Sequence, residues 1–287
     1  MMKKQIIVNI DPFNIQQEVI EYAIRIARRL DLPLLLYSIQ RHTVMPVMAD
    51  TGGQAISVQE FPPDWSKTVE EKAKDYWEEV KRIYPNTRFE HDLGLLADSV
   101  TSKLHELYES ATKRSPYMLV MSKSEDYNWW NDVIGTAETA IAAESPCPVL
   151  MVPENKEMPD VKRILYLADQ ESLEKHEYLG FKRLGAFAVN MSAKITVGLI
   201  GGEFSTQPQY NAAAAMEMLR LSLPQQEDHE FRFLENIDAD ELLELAKLTH
   251  VDLVAFPFRE RSLFERFFDH EVTRELVLKA DVPTLVF

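Results

Sequence analysis

The segment MSKSEDYNWWNDVIGT, Met121 to Thr136, has the sequence position of a phosphate-binding loop. It follows an apolar run that predicts a β-strand, and it precedes small residues that predict a helix beginning near Thr136. Glycines in such a loop let backbone N–H groups close on phosphate oxygens, and the helix N-terminus adds partial positive charge. This loop instead holds Trp129-Trp130 and three acidic residues, Glu125, Asp126 and Asp132. Its place in the chain suggests nucleotide binding, whereas its composition argues against it.

The charge of the chain excludes some classes of partner. Its 287 residues have a formal net charge of −15, which repels nucleic-acid backbones and anionic membrane surfaces unless a basic patch is present. The arginines at 28–29 and at 259–266 are interleaved with acidic or apolar residues, so we predict no such patch and no nucleic-acid partner. No apolar run approaches the roughly 18 residues of a membrane span, and the N-terminus lacks a signal-peptide core. We therefore expect a cytoplasmic protein.

Residues that could perform catalysis or bind a metal are few. Cys147 is the single cysteine, which excludes an internal disulfide, and its position between two prolines beside an apolar run predicts a buried, inert thiol. The seven histidines lack ligand spacing, so no metal site is predicted. The sequence has no G-x-S-x-G, H-E-x-x-H, C-x-x-C or Walker motif. We expect no catalytic residues, although the residues do not decide whether the protein is an enzyme.

Short apolar runs alternate with helical patterns along the chain, which is typical of an open α/β fold with a parallel sheet. In the first half we predict strands at 6–10, 32–39, 88–93, 117–121 and 148–152, and helices at 16–30, 64–84, 97–113 and 136–144. In the second half we predict strands at 163–169, 194–200, 230–234, 252–256 and 282–287, and helices at 171–189, 211–221, 239–250 and 271–279.

The second half repeats the pattern of the first. RILYLAD resembles IIVNID, and the ending LKADVPTLVF aligns with AAESPCPVLMVP. We interpret this as an internal duplication with a first domain at 1–153, a linker at 154–160 and a second domain at 161–287. The closing strands PVLMV and PTLVF would be apolar sheet edges in isolated domains. We therefore expect them to be buried against each other in an intramolecular pseudo-dimer.

Over nearly the whole chain, these features resemble the universal stress protein family as a tandem pair, a fold related to the adenine-nucleotide alpha hydrolase-like folds. Members of that family that bind ATP have the pattern G-x2-G-x9-G-[S/T] after the fourth strand. In the first half this spacing falls on Ser122, Glu125, Gly135 and Thr136. In the second half it falls on Pro257, Glu260, His270 and Glu271, so we expect no nucleotide there.

The resemblance implies that Asp11, Ser122, Gly135 and Thr136 would contact a nucleotide in the first domain. Thr136 could instead cap the helix that it precedes, and Asp11 and Asp169 could each cap the helix that follows them. Trp129-Trp130 could stack on a base or a partner, or pack over a pocket without ligand. Glu125 places a carboxylate where a phosphate oxygen would lie, and this repulsion amounts to several kcal/mol at an effective dielectric constant of about 20.

Three functions follow from these observations. The first is a non-enzymatic stress-response or signalling module with lost or weakened nucleotide binding and no cofactor, acting through protein partners or a small ligand. The second is an ATP-binding switch with nucleotide in the first domain only and slow hydrolysis. The third is a carrier of an apolar ligand or lipid, suggested by the apolar residues of the long connection 41–63, which would serve as a lid.

Overall fold

A computed structural model describes residues 3–10, 16–39, 65–94, 114–123, 145–154, 156–169, 178–201, 217, 230–235, 250–256 and 281–287. The strands in these residues are β1 (Lys3–Ile10), β2 (Leu34–Ile39), β3 (Phe89–Gly94), β4 (Arg114–Lys123), β5 (Val149–Pro153), β6 (Arg163–Asp169), β7 (Lys194–Gly201), β8 (Glu230–Glu235), β9 (Leu253–Phe256) and β10 (Thr284–Val286). The helices are α1 (Gln17–Leu30), α2 (Trp65–Ile83) and α3 (Tyr178–Met191).

The ten strands form one sheet in the order β3-β2-β1-β4-β5-β10-β9-β6-β7-β8. Numbered within each half, the order is 3-2-1-4-5 in the first half, and the same order is repeated in reverse across the second half. Neighbouring strands within each half are parallel, as the βαβ pattern predicts. The prediction of an α/β fold with a parallel sheet is therefore confirmed.

The two halves join through an antiparallel pair of strands, β5 and β10. Leu285 lies opposite Leu150, with Thr284 opposite Met151 and Val286 opposite Val149. All these side chains are buried. Pairing covers two apolar strands that would otherwise present unpaired N–H and C=O groups at a sheet edge.

The helices α1 and α3 end with the same hydrogen bond. Asp31 and Ser192, which follow the two helices, both have left-handed backbone conformations with φ of 51° and 55°. After α1, the N–H of Leu32 donates to the carbonyl of Ala27 at 2.9 Å. After α3, the N–H of Ala193 donates to the carbonyl of Ala188 at 2.8 Å. Both helices thus end in the same hydrogen-bonded motif, and the equivalent residues of the two halves are 161 positions apart in the chain (192 minus 31).

A single hydrophobic cluster extends across both halves on one face of the sheet. It contains the apolar residues of α1, such as Ala23 and Ile26, together with Phe181 and Phe187 of α3. Leu150 and Leu285, at the centre of the β5–β10 pair, belong to the same cluster. The halves therefore share one core on this face, and a smaller cluster on the opposite face also crosses the β5–β10 pair through Val286.

The predicted strands agree with the observed ones to within a few residues, and the largest difference is at β4. The sequence predicts residues 117–121, whereas β4 extends over Arg114–Lys123. Gln5 lies opposite Pro116 and Ile6 opposite Met118, so Tyr117 is an extra residue in a β-bulge. Proline is tolerated in strands at such bulges. The first three residues of β4, Arg-Ser-Pro, are polar or proline, so they gave no strand signal in the sequence. The helices predicted at 97–113, 136–144 and 271–279 lie outside the described residues, and so do those predicted at 211–221 and 239–250 except for residue 217, which is helical, and residue 250.

The connection between the halves is irregular but attached to α1. The side chain of Gln16 hydrogen bonds to Glu154, and Arg25 donates to the carbonyl of Met158. Met158 and Val161 are buried in the shared core. These contacts fix the path of the connection, while the domain boundaries at 153 and 161 stay a prediction.

Truncation of Leu285 tests the junction of the halves. Because this side chain is fully buried, we expect Leu285→Ala to lower the free energy of unfolding by about 3 kcal/mol. The control is Val189→Ala at an exposed position of α3, which should change stability by less than about 0.5 kcal/mol. Urea unfolding followed by circular dichroism measures both changes. Equal effects of the two substitutions would contradict burial of Leu285 at the junction.

Candidate functional site

The strand order creates two points where the direction of chain winding reverses. In the first half β1 lies between β2 and β4, and in the second half β6 lies between β7 and β9. Helical connections on either side of such a switch point diverge, which leaves a crevice at the carboxyl ends of the two strands. A ligand would therefore be expected in the crevice beyond β1 and β4.

Ser122 lies at this switch point. It occupies the next-to-last position of β4, opposite Val152 of β5, and it is half-buried. Because side chains alternate along a strand, Ser122 lies on the same face as Val120, which belongs to the cluster containing α1. The strand ends one residue later at Lys123, whose carbonyl accepts a hydrogen bond from the N–H of Glu154 at 3.2 Å. A hydroxyl group is thus available at the carboxyl end of β4.

The other residues predicted to contact a nucleotide, Asp11, Gly135 and Thr136, lie outside the described residues, as does Glu125. The structure therefore places Ser122 of the predicted set and leaves untested whether the four come together. In the second half the backbone of Asp169 ends β6 opposite Ile200, at the second switch point.

Sequence reasoning missed Asn9, which lies near the carboxyl end of β1. It pairs with Tyr37 of β2, and its side-chain oxygen Oδ1 is buried with no hydrogen-bond partner in the part of the chain that the structure describes. By strand alternation it lies on the face of Ile7, opposite to that of Ser122. A polar residue inside the apolar run IIVNI was the available signal.

Cys147 is enclosed between the sheet and its flanking residues. Its side chain is buried, and burial raises the pKa of the thiol to about 11. The hydroxyl of Ser145 donates to the carbonyl of Cys147 at 2.7 Å and lies 3.5 Å from its sulfur. Since the thiolate is the nucleophilic form, this cysteine is not a nucleophile at neutral pH.

Within the described ranges, no group of three or more histidine, cysteine, aspartate or glutamate side chains could hold a metal ion. Among the same residues, no helix is long and apolar enough to cross a membrane.

The fold and its two switch points define an open α/β sheet protein, and comparisons with known proteins show what it is similar to. The model of the universal stress protein family matches residues 189–287. A universal stress protein from Archaeoglobus fulgidus DSM 4304 is similar at 9% identity, over 99% of this chain and 96% of that one, with a TM-score of 0.65.

Two other solved structures have similar folds. A putative universal stress protein from Pseudomonas aeruginosa UCBPP-PA14 is 14% identical over 99% of this chain and 93% of that one, with a TM-score of 0.61. The cytoplasmic domain of a prokaryotic cation chloride cotransporter is 12% identical, with coverages of 99% and 95% and a TM-score of 0.51. A search of curated sequences finds no match.

The family model thus matches about the last third of the chain, and the solved structures show that the chain as a whole has the fold of a universal stress protein.

Thiol labelling tests the environment of Cys147. At pH 8 we expect a small disulfide reagent to label the folded protein about two orders of magnitude more slowly than the unfolded chain, because an unburied thiol has a pKa of about 8.5. The rate on the folded protein should keep rising with pH towards about 11. The same protein in denaturant is the control, and equal labelling rates in the two states would show that the thiol is accessible.

Proposed function

We propose that the protein is a non-enzymatic stress-response or signalling module of the universal stress protein type, in which nucleotide binding is lost or weakened. It would act in the cytoplasm through contacts with other proteins or with a small ligand. The two halves would be tandem domains, 1–153 and 161–287, joined by residues 154–160. The mirrored strand order and the paired strands β5 and β10 support an intramolecular pseudo-dimer.

The observation that carries this proposal is Ser122 at the carboxyl end of β4. In ATP-binding relatives this position is a glycine, whose missing Cβ lets the backbone approach phosphate. Ser122 adds a side chain beside β5, and Glu125 adds a carboxylate three residues later. A unit negative charge about 4 Å from a phosphate charge opposes binding by about 4 kcal/mol at an effective dielectric constant of 20. In the second half, β9 ends at Phe256 and the corresponding positions begin with Pro257, which lacks an N–H donor.

The alternative is an ATP-binding switch in the first domain, with possible slow hydrolysis. In it, Asp11, Ser122, Gly135 and Thr136 would contact Mg-ATP. The half-buried hydroxyl of Ser122 beside β1 favours it, because a hydroxyl can replace a glycine N–H as a phosphate donor.

Restoring the glycines tests the proposal. We expect wild-type protein to show no micromolar binding of Mg-ATP in isothermal titration calorimetry. The double variant Ser122→Gly with Glu125→Gly should bind at least about tenfold more tightly, because it removes a side chain and a like charge. Pro257→Gly with Glu260→Gly is the matched control in the second half and should bind no ATP.

The alternative makes the opposite prediction. It requires micromolar binding to wild type and its loss in Gly135→Trp, with the circular dichroism spectrum unchanged. Native mass spectrometry of freshly purified protein gives an independent readout, since a bound mass of ATP or AMP would contradict the proposed loss of nucleotide binding.

A further inference from the structure

A cavity lies between α1 of the first half and the beginning of the second-half sheet. Its volume is about 510 Å³, large enough for a small organic molecule. The residues from α1 that line it are Tyr22, Arg25, Ile26 and Arg29. The remaining lining residues are Asp160 to Arg163, the end of α3 at Met191 and Ser192, and Lys194 at the beginning of β7.

The lining is strongly cationic although the whole chain has a net charge of −15. Five lining residues are basic, and they come from three separate segments: Arg25, Arg29, Lys162, Arg163 and Lys194. Only the fold brings these three segments together, so no basic run in the sequence marks them. Asp160 is the acidic residue among those lining the cavity, and its carboxylate lies 3.6 Å from both Arg25 and Arg29. Asp252 adds a second negative charge nearby through its hydrogen bonds to the N–H groups of Lys162 and Arg163.

Tyr22 provides a buried polar group without a partner. Its side chain is 1% exposed, and its hydroxyl has no hydrogen bond among the described residues. A buried hydroxyl that lacks a partner is unfavourable, so such groups normally meet an acceptor. Burial raises the pKa of Tyr22, which keeps the hydroxyl protonated and able to donate. The guanidinium carbon of Arg25 lies 5.3 Å from the centre of the Tyr22 ring, so cation and hydroxyl belong to one local arrangement.

The arrangement is not a by-product of the internal duplication. With the 161-residue offset set by Asp31 and Ser192, the α3 positions that correspond to Arg25 and Arg29 are Ala186 and Asn190. The pair of arginines therefore exists on one side of the junction only. These arginines also hold the connection between the halves, through Asp160 and the carbonyl of Met158.

We propose that this cavity binds a small organic anion, a phosphate or carboxylate attached to an apolar body. Arg25 and Arg29 would bind the anionic oxygens, for which guanidinium groups have the matching geometry. The hydroxyl of Tyr22, which is buried in the empty site, would have to become exposed to the ligand to donate to one of the same oxygens. Ile26, Val161 and Met191 supply the apolar part of the lining. Asp160 occupies the two arginines when the site is empty, so a ligand must compete with it. The site is separate from both switch points and does not depend on whether ATP binds there.

The first experiment compares neighbouring arginines of α1. Phenyl phosphate, benzoate, inorganic phosphate and benzyl alcohol are titrated by calorimetry at low ionic strength into wild type, Arg29→Ala and Arg28→Ala. Arg28 donates to Thr87 at 3.1 Å, away from the cavity, so its variant has the same charge change without removing a lining residue. We expect at least one organic anion to bind, about tenfold weaker binding in Arg29→Ala, and no change in Arg28→Ala.

The result for each probe decides a part of the proposal. Tighter binding of phenyl phosphate than of benzoate identifies phosphate as the anionic group, and the reverse order identifies carboxylate. The proposal is overturned if no anion binds to wild type, if both arginine variants bind equally, or if benzyl alcohol binds as tightly as the anions. Equal affinity for inorganic phosphate and phenyl phosphate would contradict the claim that the ligand has an apolar body.

Two further variants separate ligand binding from folding. Tyr22→Phe should leave the free protein at least as stable, because it removes a hydroxyl with no described partner, yet lower anion affinity several-fold. Asp160→Asn should raise anion affinity several-fold, because it removes the competing carboxylate. If Tyr22→Phe keeps full affinity, or Asp160→Asn lowers it, the assigned roles are wrong.

Discussion

The antiparallel pairing of β5 with β10 is the interaction on which the rest of the structure depends. It spans only three residue pairs, yet it turns two five-stranded sheets into one sheet of ten strands. A strand as short as β10 could not hold the halves together through its hydrogen bonds alone. Its side chains contribute more, because Leu285 and Leu150 join the apolar residues of α1 and α3 in a common cluster. Stability of one half is thereby coupled to that of the other.

The same junction fixes the path of the connection between the halves, although residues 156–160 form neither helix nor strand. Met158 and Val161 fill the shared core, while Asp160 meets two arginines of α1. Such exposed ion pairs contribute little to stability, typically under about 1 kcal/mol each. Asp160 instead sets the charge balance of a cavity that exists only because the halves are joined.

The sequence predicts much of the fold because each strand is a short apolar run and each described helix has an apolar stripe. Ala73, Tyr76 and Val80 of α2, for example, follow helical spacing and are buried. Prediction failed where the signal was not local. The bulge at Tyr117 depends on the register between β1 and β4, and the basic cavity depends on residues such as Arg25 and Asp160 that only the fold brings together. The predicted nucleotide site rested on the spacing of a family motif. Of its four residues, Ser122 is the one that lies within the described structure.

Because β5 and β10 are antiparallel, the strands of the two halves run in opposing directions. The two switch points lie on opposite sides of the β5–β10 pair in the strand order, one at β1 and β4 and the other at β9 and β6. In a dimer of identical chains those two ends would be chemically equal. Here one strand end offers the hydroxyl of Ser122 and the other ends in the buried ring of Phe256. The two strand ends therefore differ chemically, so a partner that contacts one of them would meet each chain in a single orientation.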